Sequence, residues 1–268
     1  MTTMEELITQ YTGANEDSRL TRQYIAQLEY DTTMHKLQPY VQNAEHVCEL
    51  GAATGRYSLA FAKMGCHVTA VELAPDQVNI LKQKAAQQCL ELTIHEGNAC
   101  NVPYVSDESQ HVCVILGPLY HLKTLAERQQ ALSEAYRMLK PNGLLAVAYI
   151  SSFFVAGMFA QQCPELITPD VLLQLRQNGT VSDPRADDFF KVGYFATPSE
   201  IDHLISEAGF SVNEHIATDG FGRYIAKGVN HFSPEQYQAW RDHHFATCNE
   251  PTLLGSSNHG LVIARKVS

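Results

Sequence analysis

The 268-residue sequence has no cysteine pair at a spacing that chemistry could use. Its seven cysteines (Cys48, Cys66, Cys89, Cys100, Cys113, Cys163 and Cys248) are odd in number and scattered, without Cys-x-x-Cys or a His/Cys ligand set. Neither a disulfide framework nor a metal site is therefore expected, and the thiols read as reduced and mostly buried. Basic runs are missing as well. Nineteen Lys and Arg stand against 29 Asp and Glu, a formal charge of -10, so a broad phosphate-backbone footprint, and with it a nucleic-acid partner, is not expected. No internal repeat or low-complexity tract is visible. The opening Met1-Thr-Thr-Met-Glu-Glu-Leu7 lacks the basic start and apolar centre of a signal peptide, and the reading is a cytoplasmic protein. One charge-free run, 143–160, approaches the lower limit for a membrane span. It opens after the turn signal Lys140-Pro-Asn-Gly143 and breaks at Ser151-Ser152, so it reads instead as a buried strand followed by an apolar helix.

What is present is an alternation of apolar runs and amphipathic segments, in a chain that is 45% hydrophobic and long enough for one full α/β core. Strands are expected at 45–50, 66–72, 91–95, 111–116 and 144–150, with helices at 55–64 and 75–88 and one or two more at 17–40. Thr124-Leu-Ala-Glu127 is a capping box, and Leu125, Leu132, Ala135, Tyr136 and Leu139 give the helix behind it one apolar face. A second box, Thr197-Pro-Ser-Glu200, starts a helix that stops at Gly209, and Ser233-Pro-Glu-Gln236 starts another. Strands follow at 211–217 and 260–266. Between 151 and 195 the pattern loosens, and Phe153, Phe154, Met158, Phe159, Phe189, Phe190, Tyr194 and Phe195 read either as an inserted cover over the strand tips or as an ordinary apolar layer.

The chemistry concentrates in Val47-Cys-Glu-Leu-Gly-Ala-Ala-Thr-Gly55. Gly51 and Gly55 accept positive φ and let backbone N–H groups approach a ligand. Glu72 ends the next apolar run 21 residues after Gly51, near the offset of about 20 at which an acid meets ribose hydroxyls in dinucleotide folds. A turn alone also ends strands for steric reasons. The acid at that offset adds a second, independent sign of a nucleoside ligand.

Glu49-Leu-Gly51-Ala-Ala53-Thr-Gly55 resembles the first motif of class I S-adenosylmethionine-dependent methyltransferases, with Ala53 in place of the middle glycine. A nicotinamide-binding turn would read Gly-x-Gly-x-x-Gly, which Arg56 fits poorly as a close-packing position. Glu96-Gly-Asn98-Ala99 resembles the family's adenine-binding Gly-Asp-Ala segment, with Asn98 for Asp; an Asx-turn is the other reading of that asparagine. Gly117-Pro-Leu-Tyr120-His121-Leu122 is similar to a segment of one subgroup, and Ala208-Gly209-Phe210 to a helix ending in the family.

The resemblance implies a doubly wound, mostly parallel seven-stranded sheet with helices on both faces and the last strand antiparallel. The expected domains are N-terminal helices (1–43) over the cofactor, a methyltransferase domain (44–150 and 196–268) and a helical cover inserted after strand 5 (151–195). The implied cofactor is S-adenosylmethionine, and the implied reaction moves its methyl group to a small-molecule acceptor. A non-catalytic S-adenosylmethionine-binding protein, or an NAD(P)-dependent oxidoreductase, are the alternatives. Expected cofactor contacts are Glu49, Gly51, Ala52, Ala53, Gly55, Glu72, Leu73, Asn98, Ala99 and Leu116, with Arg19 or Arg22 pairing its carboxylate and Glu49 orienting its amino group. Tyr120 and His121 are expected to line the acceptor pocket, with His121 the candidate base. His243 and His244 are adjacent, point apart on a helix, and carry no metal reading.

Overall fold

The computed structural model describes residues 4–11, 16–183, 185 and 193–267. Its apolar runs pair into one seven-stranded sheet: β1 (His46–Leu50), β2 (His67–Glu72), β3 (Leu92–Glu96), β4 (Gln110–Ile115), β5 (Leu139–Ile150), β6 (Phe210–Ala217) and β7 (His259–Lys266). The order is β3-β2-β1-β4-β5-β7-β6, parallel through β5, with β7 antiparallel to both β5 and β6. This is the expected topology. The central strands are continuous apolar runs because both faces are covered, whereas β3, with a neighbour on one side only, alternates polar residues.

One face carries α3 (Tyr24–Val41), whose Leu37 and Val41 pack with Tyr57 and Phe61 of α4 (Arg56–Lys63) on Val47, Val68, Val112 and Val114. The other carries α6 (Leu125–Met138) and α9 (Pro198–Glu207), whose Leu132, Met138, Ile201 and Ile205 cover Cys48, Ile115, Leu145 and Val147. Each such fully buried side chain contributes about 1.5–3 kcal/mol relative to exposure. Beyond β2 lies α5 (Pro75–Gln87), beyond β5 lie α7 (Ser152–Gln162) and α8 (Pro169–Asn178), and α10 (Ala226–Val229) and α11 (Pro234–Thr247) precede β7. The N-terminal helices are α1 (Met4–Tyr11) and α2 (Glu16–Arg19).

Both expected capping boxes form with both reciprocal hydrogen bonds, and the helix that starts at Ser233 carries a third. The apolar face read for α6 needs correction at its ends. Leu125, the first helical residue, is 52% exposed, and Leu139 opens β5. The position one turn in is held by Arg128, which donates to the carbonyls of Leu122 and Lys123 and lies 3.4 Å over the Tyr194 ring, so a buried cation with its own partners replaces the expected leucine contact. The charge-free run divides as expected between β5 and α7, and no described helix is long and apolar enough to cross a membrane. His244 is buried against the carbonyls of Ala217 and Thr218 while His243 is exposed.

Candidate active site

From β1 the chain crosses to β2 on one side, while β4 pairs on the other, so a crevice opens beyond the carboxyl ends of β1 and β4. Gly51 makes the turn there with φ 79°, and a Cβ on it would stand 2.4 Å from Cγ of Pro118. Only glycine lets the two loops approach this closely. The N–H groups of Gly51 and Ala52 both donate to the Val71 carbonyl, at 2.8 and 3.0 Å, which hooks the loop onto the end of β2. Gly55, also left-handed, faces Leu81 and shapes the turn from behind.

Glu72 ends β2 inside this crevice, 8% exposed. Its two oxygens accept from Ala53 N–H and Ala74 N–H, each at 2.7 Å. The carboxylate is thus fixed from two loops. Ala53 stands at φ 45°, so the residue that departs from the glycine pattern still takes a left-handed conformation. Glu49 is fully buried and accepts from Ser58 Oγ. Burial, aided by the nearby charge of Glu72, pushes its carboxyl up to about 8 despite that hydrogen bond.

These residues open onto a cavity of about 430 Å³. Glu49, Gly51, Ala52, Ala53, Glu72, Leu73, Asn98, Ala99, Leu116, Tyr120, His121, Arg19 and Arg22 all lie on its wall; Gly55 does not. Asn98 Oδ1 accepts from Cys100 N–H at 2.9 Å, the Asx-turn, while the residue lines the cavity. Arg19 is paired at 3.2 Å with Glu29. His121 Nε2 lies 2.5 Å from Tyr11 Oη, and Gln77 donates to the Tyr11 carbonyl at 2.7 Å, so α1 is tied down on both sides of the cavity mouth.

Among the described residues, none of 151–195 reaches this wall. Phe154, Val155 and Phe159 instead pack as an apolar layer with Ile150, Leu166, Val171 and Phe195. Phe189 and Phe190 lie outside the described residues. The wall facing the strand tips comes from Leu7, Ile8 and Tyr11 of α1 and from Arg223, Asn258 and His259. Sequence reasoning missed the last three. The available signal was the antiparallel last strand, whose first residue must lie at the same sheet edge as the carboxyl ends of its parallel neighbours.

Residues 47–143 match the methyltransferase-domain family. The segment that carries the Gly51 turn and Glu72 is thus similar to a methyltransferase domain. The matched segment contains the Gly51 turn, Glu72, Asn98 and the Tyr120-His121 segment, and it ends before the run of β5 that reaches the cavity. An uncharacterized protein of Mycobacterium tuberculosis is 32% identical over 101 residues, 38% of this chain and 35% of that protein. The chain therefore spans about a third of the length of that relative. The ubiquinone/menaquinone biosynthesis C-methyltransferase of Bradyrhizobium is 25% identical over 68% of this chain and 72% of its own. A solved S-adenosylmethionine-dependent methyltransferase of Methanosarcina mazei shares the fold, with a TM-score of 0.59 at 16% identity over 87% of this chain and 97% of that one.

Proposed function

We propose that this methyltransferase domain binds S-adenosylmethionine in the Gly51 crevice and transfers its methyl group to a small-molecule acceptor. The observation that carries the reading is Glu72: a buried carboxylate, held by two backbone N–H groups, beside a loop that tolerates no Cβ at Gly51. A ribose offers two hydroxyl donors, and a fixed carboxylate is their complement. Asn98, Ala99, Leu73 and Leu116 would hold the adenine ring, Gly51, Ala52 and Ala53 the methionine chain, Glu49 its ammonium, and Arg19 with Arg22 its carboxylate.

When bound, the cofactor supplies a methyl group on a sulfonium, displaced in line to leave a neutral thioether. The protein's part is approach geometry and exclusion of water, worth up to about 7–11 kcal/mol in favourable cases. Leu7, Ile8 and Tyr11 of α1 close the crevice from outside, and Tyr120 and His121 face the acceptor from the end of β4. A relative named for ubiquinone and menaquinone biosynthesis supports a small-molecule acceptor. Calorimetric titration tests the reading: S-adenosylmethionine should bind saturably and NAD should give no binding heat. Binding of NAD alone would overturn it in favour of an oxidoreductase.

A further inference from the structure

At the end of the cavity away from Glu72, five charged or titratable side chains meet. Glu29 of α3, 5% exposed, pairs with Arg19 at 3.2 Å and with Arg223 at 2.8 Å, and lies 3.2 Å from His259 Nδ1. Arg223 also pairs with the buried Asp219 at 2.8 Å. Glu29, Asp219 and His259 approach one another as a metal ligand set would, but Arg223 bridges the two carboxylates and supplies the cation they need. Burial pushes the Glu29 carboxyl up, yet the Arg19 and Arg223 charges and the hydrogen bond from His259 outweigh it and hold it well below the usual range, so it is an ionised acceptor.

An ionised acceptor beside Nδ1 fixes the proton on that nitrogen. Asn258, whose amide lies 2.9 Å from Nδ1, meets the same N–H with its oxygen after a half-turn. The lone pair of His259 is then on Nε2. No group among the described residues hydrogen-bonds Nε2, and His259 lies on the cavity wall with its ring 5.9 Å from that of Tyr120. The backbone around it is held in place: its carbonyl accepts from Thr218 N–H and Thr218 Oγ1, Asp219 accepts from Asn258 N–H, and the Ser257 hydroxyl, 2.7 Å from both that carbonyl and Asp219 Oδ1, shares its one proton between them. His121, by contrast, has its Nε2 engaged by Tyr11.

We propose that His259, positioned by Glu29, is the group that takes the proton from the methyl acceptor, and that the acceptor carries an acidic hydroxyl on an unsaturated carbon, a phenol or an enol. The proposal rests on the methyltransferase reading above. In the step the O–H bond breaks, its electron pair stays on oxygen, and the proton bonds to Nε2 to give an imidazolium facing Glu29. The surroundings select the acceptor class. Arg19 and Arg223 already offset Glu29 and Asp219, so neither carboxylate beside His259 lacks a counter-charge that an ammonium acceptor would supply, and a neutral hydroxyl fits better. Leu7, Ile8, Tyr120 and Ile150 supply apolar contact for a flat ring.

The probe is 4-nitrophenol, titrated into protein loaded with S-adenosylhomocysteine at a pH where free nitrophenol is still protonated. The wild type should show the yellow phenolate band of the bound probe. His259→Asn and His259→Gln should lower that band by at least about tenfold, one unit of effective basicity, while calorimetry shows S-adenosylhomocysteine affinity unchanged. Glu29→Gln should keep the band but require a higher pH, because the imidazolium loses its counter-charge, while Arg19, Arg223, Asp219, Tyr120 and His121 still face the site. A band that persists in both His259 variants, or its absence from the loaded wild type, overturns the proposal. Failure of the wild type to bind S-adenosylhomocysteine overturns the methyltransferase reading itself.

Discussion

Two carboxylates in one crevice have opposite tasks because their surroundings differ. Glu72 accepts two backbone N–H groups, and the proposed function gives it the ribose hydroxyls. Its replacement by Ala should weaken S-adenosylmethionine binding by about 1.5–3 kcal/mol, the range for hydrogen bonds to charged groups; unchanged affinity in calorimetry would remove Glu72 from the site. Glu49 is buried without a counter-charge, and its carboxyl rises from the ordinary 4.5 to about 8. The unfolded chain ionises first, so this residue costs stability progressively as pH rises from 4.5 to about 8, and the cost is constant above that. Glu49→Gln should therefore raise the Tm of the ligand-free protein at pH values above 8 and leave it unchanged below 4.5. A ligand ammonium beside Glu49 stabilises the ionised form, so binding should release protons near neutral pH. Titration heats that do not vary with the ionisation enthalpy of the buffer would contradict that role.

At the scale of elements, the β1–α4 turn and α1 decide whether the crevice exists. Gly51→Ala adds a Cβ at a left-handed φ and 2.4 Å from Pro118, so the two loops must part. Cofactor binding should fall by more than tenfold while the far-UV spectrum is kept. α1 touches the rest of the molecule through Tyr11, its carbonyl bond to Gln77, and its wall residues. Removing residues 1–11 should leave the thermal midpoint near that of the full chain but weaken S-adenosylmethionine binding at least tenfold, about 1.4 kcal/mol. An equal loss in both would make α1 a core element. Local signals served well here: Thr124 and Thr197 each form the reciprocal cap that their spacing predicts, because a capping box is decided within four residues. Leu125 shows the limit. Periodicity places it on the apolar face, but the turn before α6 turns the first helical residue to solvent and lets Arg128 fill the space.

Across the whole molecule, the network of Arg19, Glu29, Arg223 and Asp219 joins α2 and α3 to the chain after β6. Glu29's lowered pKa contributes stability that is complete above 4.5 and lost as pH falls through the folded-state value. Arg223→Met removes one of the charges that hold it down, so the midpoint of acid unfolding, followed by circular dichroism, should move to higher pH. A midpoint unchanged from wild type would mean that Arg19 and His259 suffice. The alternation of strands and helices and the Gly51 turn with Glu72 at its offset were legible in the residues, because each depends on neighbours in the chain or on a motif of short span; the antiparallel final strand followed only from the resemblance. Which distant residues share the cavity wall with Glu72 depends on strand order and direction. Arg223, Asn258 and His259 are separated from the Gly51 turn by more than half the chain, and β7 running against its neighbours is what returns them to the sheet's carboxyl edge. No local pattern encodes that return, since it follows from strand direction and order rather than from residue spacing.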